Sequence, residues 1–386
     1  MRNLTSRQIA PYIICSMLGF YVFNIPQNLF IELKSKNLTI LAVIISGIFS
    51  FFIGLCYAEL GCRFPDSYGD NVYLEAAYGK MMSIIYSFSS CLVICPLFLA
   101  SSILVFSSEK IVGFDNFWVR YSLFLAFFLF NFFFFELSIK VQNIFTYIKV
   151  FQMGAFVLFS LLSLFKIIEP SKPIIKDIGL KSDFSIKRFI NAIGACAPLY
   201  DGFNSANFIS FKIKNPRKTF YQSISFSVIF ITSVFSVILF SIFNCVNYSE
   251  VLDSRNNDRD ILAICCSKFW FLEKIYFAKI FKGVSLVSGI NGIFIIIRAI
   301  STSLYKDYKV FYIISSFVGI ILINFHQFKM FTAIMSLSIL IFYCLSVASL
   351  LINKKNTKLF FWIPTLGLLS CTFAIYGNLN YIKSLI

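Results

Sequence analysis

The feature that most constrains this chain is a damaged membrane span, Gly194-Ala195-Cys196-Ala197-Pro198-Leu199-Tyr200-Asp201-Gly202-Phe203-Asn204, inside an apolar run between Arg188 and Lys212. A run of that length can cross a bilayer as a helix. Pro198 removes a backbone donor, and Gly194 and Gly202 each cost about 1 kcal/mol of helix propensity. Asp201 adds roughly 2.5–3.5 kcal/mol at mid-membrane. Non-helical backbone persists at that depth only where protein or a water-filled cavity satisfies it. The stretch therefore reads as a broken helix lining a cavity. The first apolar run has the same defect: no residue between Arg7 and Glu32 is charged, yet Gly19, Asn24 and Pro26 interrupt it.

Composition agrees. Hydrophobic residues make up 58% and charged residues only 13%, against about 25% charged in a soluble domain. Charge-poor windows predict about eleven transmembrane helices, over 9–31, 38–58, 82–106, 117–135, 143–165, 189–210, 219–243, 275–297, 309–325, 330–352 and 359–380. The expected fold class is an all-α integral membrane protein forming one polytopic domain. Residues 9–166 and 187–352 would be two five-helix sets, each opened by a broken helix, with an extra C-terminal helix in 353–386. Broken helices at matching positions are the pattern of an inverted-repeat secondary transporter. Short links are read at Glu32–Asn37, Glu136–Gln142 and His326–Lys329.

The net charge of +16 sits in loops between apolar runs, where it fits topology and anionic lipid, so no nucleic-acid partner is expected. Basic clusters such as Lys212–Lys218 favour a cytoplasmic N-terminus, although the opposing loop Lys166–Arg188 holds six Lys or Arg. Most cysteines lie in apolar runs as small hydrophobes, and Cys91-x-x-x-Cys95 has no His or acid beside it. His326 is the single histidine. No Walker A loop, Rossmann fingerprint or nucleophile elbow is present, so neither an enzyme, a metal site nor a cofactor is expected. Asn247-Tyr248-Ser249 reads as a glycosylation sequon in an external loop, which also holds Cys265 and Cys266.

Four stretches add a family resemblance. Tyr57-Ala58-Glu59-Leu60-Gly61, continued by Pro65-Asp66-Ser67-Tyr68-Gly69-Asp70 and Ala77-Tyr78-Gly79, resembles the YAELG…P-x-S-G-G…A-x-G signature of the amino acid–polyamine–organocation superfamily, in its L-type amino acid transporter branch. Val141-Gln142-Asn143 through Lys149 resembles the start of its fifth helix. Tyr200-Asp201-Gly202-Phe203-Asn204 with Lys214-Asn215-Pro216-Arg217 resembles its sixth, and Ser288-Gly289-Ile290-Asn291-Gly292 its eighth. The resemblance implies a LeuT-type 5+5 fold, with substrate held at the unwound parts of helices 1 and 6. Carried onto this sequence, that site is Gly19, Phe20 and Tyr21 with Leu199, Tyr200, Asp201, Gly202 and Phe203. Unpaired N–H groups at such breaks suit a carboxylate, and unpaired C=O groups suit an ammonium.

The same resemblance makes Lys149 the mimic of a bound sodium ion; the plainer alternative is a lysine snorkelling to the membrane surface. Asp201 has two readings as well, as a cap of the second half-helix or as the partner of a cationic substrate group. The family's small G-S-G is here Gly19-Phe20-Tyr21, its Gly-Trp is Gly202-Phe203, and its acidic pair before K-N-P is Phe211-Lys212. The implied function is a sodium-independent amino acid transporter of the plasma membrane, working by exchange, uniport or proton coupling. The alternatives are a polyamine or organic-cation carrier of the same fold and a non-transporting sensor. Implied partners are a small amino acid or amine and membrane lipid. The link Ser107–Val119 has no Cys, so no disulfide-linked heavy chain is expected.

Overall fold

The first apolar run folds as two helices, α1 (Ser6–Met17) and α2 (Tyr21–Leu33). Leu18, with φ −77° and ψ 73°, leaves helical geometry between them. The last carbonyls of α1 thereby lose the N–H groups that a continuing helix would supply. The computed structural model describes residues 4–18, 21–67, 69–107, 117–165, 185–256, 276–304, 308–325, 327–352 and 362–385. Gly19, Phe20, Cys265, Cys266 and His326 lie outside them.

After α2 come α3 (Lys36–Arg63), the short α4 (Asp70–Tyr78) and α5 (Lys80–Ser89). A π-helical turn at Ser90–Ile94 joins α5 to α6 (Cys95–Ser107). Such a turn is a local widening, common at functional sites. Cys91 lies in it and Cys95 opens α6. Then follow α7 (Phe117–Phe133), α8 (Phe135–Leu164) and α9 (Ile186–Ala195). Beyond α9 the chain makes a 3₁₀ turn at Ala197–Leu199, a left-handed Gly202 and a kinked 3₁₀ run at Phe203–Lys212. Pro216, pre-set for a first helical position, opens α10 (Pro216–Cys245). The remaining elements are α11 (Tyr248–Asn256), α12 (Tyr276–Leu304), α13 (Tyr308–Ile323), α14 (Phe328–Ile352) and α15 (Trp362–Leu385).

Two readings need correcting. Glu136–Gln142 is not a link but the start of α8; the chain turns at Phe134, where the two flanking helices bend by 119°. The polar residues of this stretch divide between Glu136, exposed and paired with Lys212, and the buried Gln142. Asn291 donates to the Gln142 side chain at 2.8 Å and to the Ser138 carbonyl at 3.1 Å. Asn247 is buried, and its Oδ1 accepts the Glu250 N–H at 2.8 Å while the Glu250 carboxylate accepts the Asn247 N–H at 3.0 Å. This reciprocal cap on α11 uses the Asn247 side-chain oxygen and backbone N–H. Gly194, taken as a helix breaker, is helical within α9.

Its missing side chain serves packing. A Cβ on Gly194 would lie 2.6 Å from the Gly377 Cα, so α9 and α15 meet backbone to backbone. Small residues allow such approach between membrane helices. Asn380 adds a hydrogen bond to Asn191 at 2.9 Å across the same seam. Gly377→Val is expected to cost about 1–3 kcal/mol by overpacking. A thermal melt in detergent measures it, and a melt matching the wild type would refute the tight seam.

The protein is a multi-pass, all-α membrane protein. Among the described residues, five helices are long and apolar enough to cross a bilayer, or six if the bent pair Trp118–Phe133 and Phe135–Ala155 counts as one span. The expected spans 9–31 and 189–210 are the two broken elements, and 309–325 corresponds to the shorter α13. Large apolar side chains such as Trp118, Phe151 and Phe317 point outward, as lipid contact requires. Two apolar cores hold the helices together. One joins α1, α3, α10 and the second broken element; the other joins α6, α12 and α13.

Candidate functional site

Between the two breaks lies a cavity of about 150 Å³. One enclosed water needs roughly 10–15 Å³ on this scale, so the cavity takes about ten heavy atoms, the size of one amino acid. The end of α1 (Cys15–Leu18) and the second break (Ala197, Pro198, Asp201, Gly202) face it. The opposite walls come from the π turn with α6, from α8, α12 and α14.

Lys149 of α8 reaches this cavity from its own wall. The residue is only 1% exposed, and its Nζ donates to the Leu18 carbonyl at 2.7 Å and the Cys15 carbonyl at 3.1 Å. Both acceptors belong to the end of α1, where the helix dipole favours a cation. The ammonium is thus consumed inside the protein and does not snorkel. One turn earlier, the Thr146 hydroxyl donates to the Pro11 carbonyl at 3.0 Å, so α8 grips α1 at two heights.

Asp201 does not cap the following 3₁₀ run, which has no side-chain cap. Its Oδ1 accepts the Gly202 N–H at 3.0 Å and the Tyr343 hydroxyl at 2.6 Å. The turn here forces the carboxylate back onto the next residue's N–H, away from the later donors that a capping residue would reach. Gly202 itself has φ 105°, and a Cβ there would sit 2.8 Å from the Ser16 carbonyl carbon. The two breaks therefore touch at this glycine.

The other expected site residues divide. Leu199 and Tyr200 do not line this cavity: Leu199 is core, and Tyr200 turns its hydroxyl to the Val43 carbonyl of α3 at 2.8 Å. Phe203 lines a smaller adjoining cavity of about 30 Å³, packed on Tyr57 and Tyr343 at ring distances of 5.5 and 5.2 Å. Tyr21 opens α2. Lys212, which stands in place of an acid, pairs with Glu136 and lies 5.6 Å from the Phe135 ring centroid. Arg298 covers Phe135 as well, at 4.4 Å.

Sequence reasoning missed Asp70. It begins α4, is 2% exposed and lines the cavity. Tyr57, Tyr86 and Ser346 donate hydroxyls to it, the last at 2.7 Å. Only its place in the glycine-flanked motif after α3 pointed to it; its donors come from positions up to 276 residues away. Gln142, which lines the cavity and joins Asn291 and Asn131 in one buried network, was also missed as a site residue.

Comparison with known proteins finds a matching family and several named relatives. A family described as "Amino acid permease" matches residues 34–301. The chain is similar to the human (Homo sapiens) b(0,+)-type amino acid transporter 1, at 25% identity over 63% of this chain and 51% of the relative. It also resembles amino acid transporter protein 6 of Caenorhabditis elegans, at 25% over 55% and 43%. Against the large neutral amino acids transporter small subunit 2 of Mus musculus the identity is 31%, over 25% and 18%. The chain spans about half the length of the curated relatives it matches.

Proposed function

Because the chain belongs to the amino acid permease family, we propose that it carries amino acids across the membrane by alternating access, without sodium and without chemistry on the substrate. The observation that carries this reading is the Lys149 ammonium on the Cys15 and Leu18 carbonyls, in the wall of a cavity that both breaks line. A fixed cation there supplies the charge that a bound sodium ion would otherwise bring to the end of α1. Substrate enters the cavity, its carboxylate meeting backbone N–H groups of the breaks. The two broken elements, in contact through Gly202 and Ser16, then move together against the surrounding helices. Gly19, Phe20, Tyr21, Asp201 and Gly202 are assigned to the substrate on this reading. The two five-helix repeats, a cytoplasmic N-terminus and the plasma membrane complete it.

Proteoliposome uptake tests it. Uptake of labelled amino acid is expected to be unchanged, within about twofold, when choline replaces sodium outside. Uptake that collapses without sodium overturns the reading. Counterflow from preloaded vesicles separates a carrier from a sensor that only binds, and an imposed pH gradient separates proton coupling from exchange.

A further inference from the structure

The α8 wall of the cavity holds a hydrogen-bond donor whose direction is fixed from behind. Asn131 of α7, Asn291 of α12 and Gln142 of α8 are buried and joined amide to amide. A side-chain amide can turn over and exchange its oxygen for its nitrogen, so its partners decide which end faces where. Here two backbone carbonyls decide. The Phe127 carbonyl takes Asn131 Nδ2 at 3.0 Å, and the same nitrogen donates to Asn291 Oδ1 at 3.1 Å. Asn291 thus has its nitrogen on the other side, where it donates to the Ser138 carbonyl at 3.1 Å and to Gln142 Oε1 at 2.8 Å. Gln142 therefore spends its oxygen in the network and turns its Nε2 the other way. Gln142 and Gly292 both line the cavity, and a Cβ on Gly292 would sit 3.1 Å from Nε2, so the glycine leaves the room this amide occupies. No acceptor takes Nε2 among the described residues. The spare acceptor of the network, Asn131 Oδ1, is buried at its far end. The chain of amides is polarised, with its unused donor at the cavity wall. Such a donor costs free energy until an acceptor on a ligand meets it.

We propose that Gln142, held by Asn291, is a specificity-determining residue of this cavity and selects a substrate whose neutral side chain ends in a hydrogen-bond acceptor. The proposal rests on the transport reading above and narrows its substrate class. With the main-chain groups of an amino acid at the breaks, its side chain is the part that reaches Gln142, which lies two helical turns, about 10 Å along α8, from Lys149. An acidic side chain would meet Asp70 and Asp201, which line the same cavity. An aliphatic one would leave the Gln142 donor unpaired. A side-chain amide avoids both penalties, and glutamine has the size, about ten heavy atoms, that the cavity takes. Its own amide N–H groups find acceptors in Ser205 and Ser285, which line the cavity, are buried, and have hydroxyls without a partner among the described residues.

Ligand binding to the purified protein, measured by thermal stabilisation, tests this without requiring transport. Glutamine and homoleucine (2-amino-5-methylhexanoic acid) form the decisive pair, because they match in shape and differ in the amide. The wild type is expected to bind glutamine at least about tenfold tighter, the scale of one buried hydrogen bond. Gln142→Met keeps the unbranched length without the donor and is expected to remove most of that preference. Asn291→Leu leaves Gln142 in place but unpins it, and is expected to lower the preference at least about threefold. A purely structural Asn291 would weaken both ligands alike, and that result overturns its part in the proposal. Wild-type binding of homoleucine as tight as glutamine, or of neither, overturns the whole, whether or not any variant folds. A Gln142→Met protein that keeps the full preference overturns it too. A glutamine preference without any counterflow in proteoliposomes would defeat the transport reading and leave the Gln142 assignment standing.

Discussion

Replacing Lys149 with alanine abolishes amino acid uptake, by at least about 100-fold, while the protein still folds and elutes as a single species. Two effects of opposite sign produce this result. Burying an ammonium is costly, and an apolar replacement relieves that cost, while the smaller alanine leaves a cavity of its own. Against that, the Leu18 and Cys15 carbonyls lose their donor, at about 1–3 kcal/mol for each buried group left unsatisfied. The relieved burial cost opposes these losses, so the expected loss of uptake falls on the geometry of the break more than on the fold. Thr146 still holds α1 to α8 through the Pro11 carbonyl. The end of α1, however, no longer has a cation beside its carbonyls, and the break at Leu18 loses its fixed anchor. Sodium separates the electrostatic from the purely steric account. The cavity left by alanine exposes two carbonyl oxygens, and partial recovery of uptake in high sodium is expected because that ion takes the same ligands. Uptake within about twofold of the wild type, in choline, would remove Lys149 from the mechanism.

The sequence made the breaks legible because broken membrane helices leave a chemical trace. Pro198, Gly202 and Asp201 cannot sit in one turn of a lipid-facing helix, and α9 does end at Ala195, just before them. The trace says little about where freed groups go. Tyr343, which holds Asp201, lies 142 residues away, and the carbonyl that takes Tyr200 is 157 residues away. No local pattern encodes either partner. Polar residues on a helix misled for a related reason. The Gln142 and Asn291 side chains bond to each other inside the protein, and Asn291 also reaches the Ser138 backbone carbonyl, so their polarity reports a buried network and not a loop. Gly194 was legible as a glycine that matters, but its reason, the backbone of Gly377, lies on the last helix. Asp70 stood in plain view within a motif; only the folded chain brings it and Asp201 to the wall of one cavity.

Gly202→Ala tests the contact between the two breaks, and its effect is expected to rival that of Lys149. With φ at 105°, an L side chain at this position costs about 1–2 kcal/mol for the left-handed backbone alone. The new Cβ would then lie 2.8 Å from the Ser16 carbonyl carbon and 2.9 Å from its oxygen. Those atoms are backbone of α1 and cannot rotate aside, so one break must move from the other. Overpacking adds about 1–3 kcal/mol. Shifting α1 at Ser16 carries Cys15 and Leu18 with it, and these are the carbonyls that Lys149 holds. The strain therefore reaches the lysine anchor and the cavity together. The expected result is loss of most uptake and a clearly lower melting temperature in the purified protein. Serine at the same position should fare no better, because the φ and the clash are unchanged. A Gly202→Ala protein that melts and transports like the wild type would mean that the breaks do not touch here, and the shared cavity would lose its geometric basis.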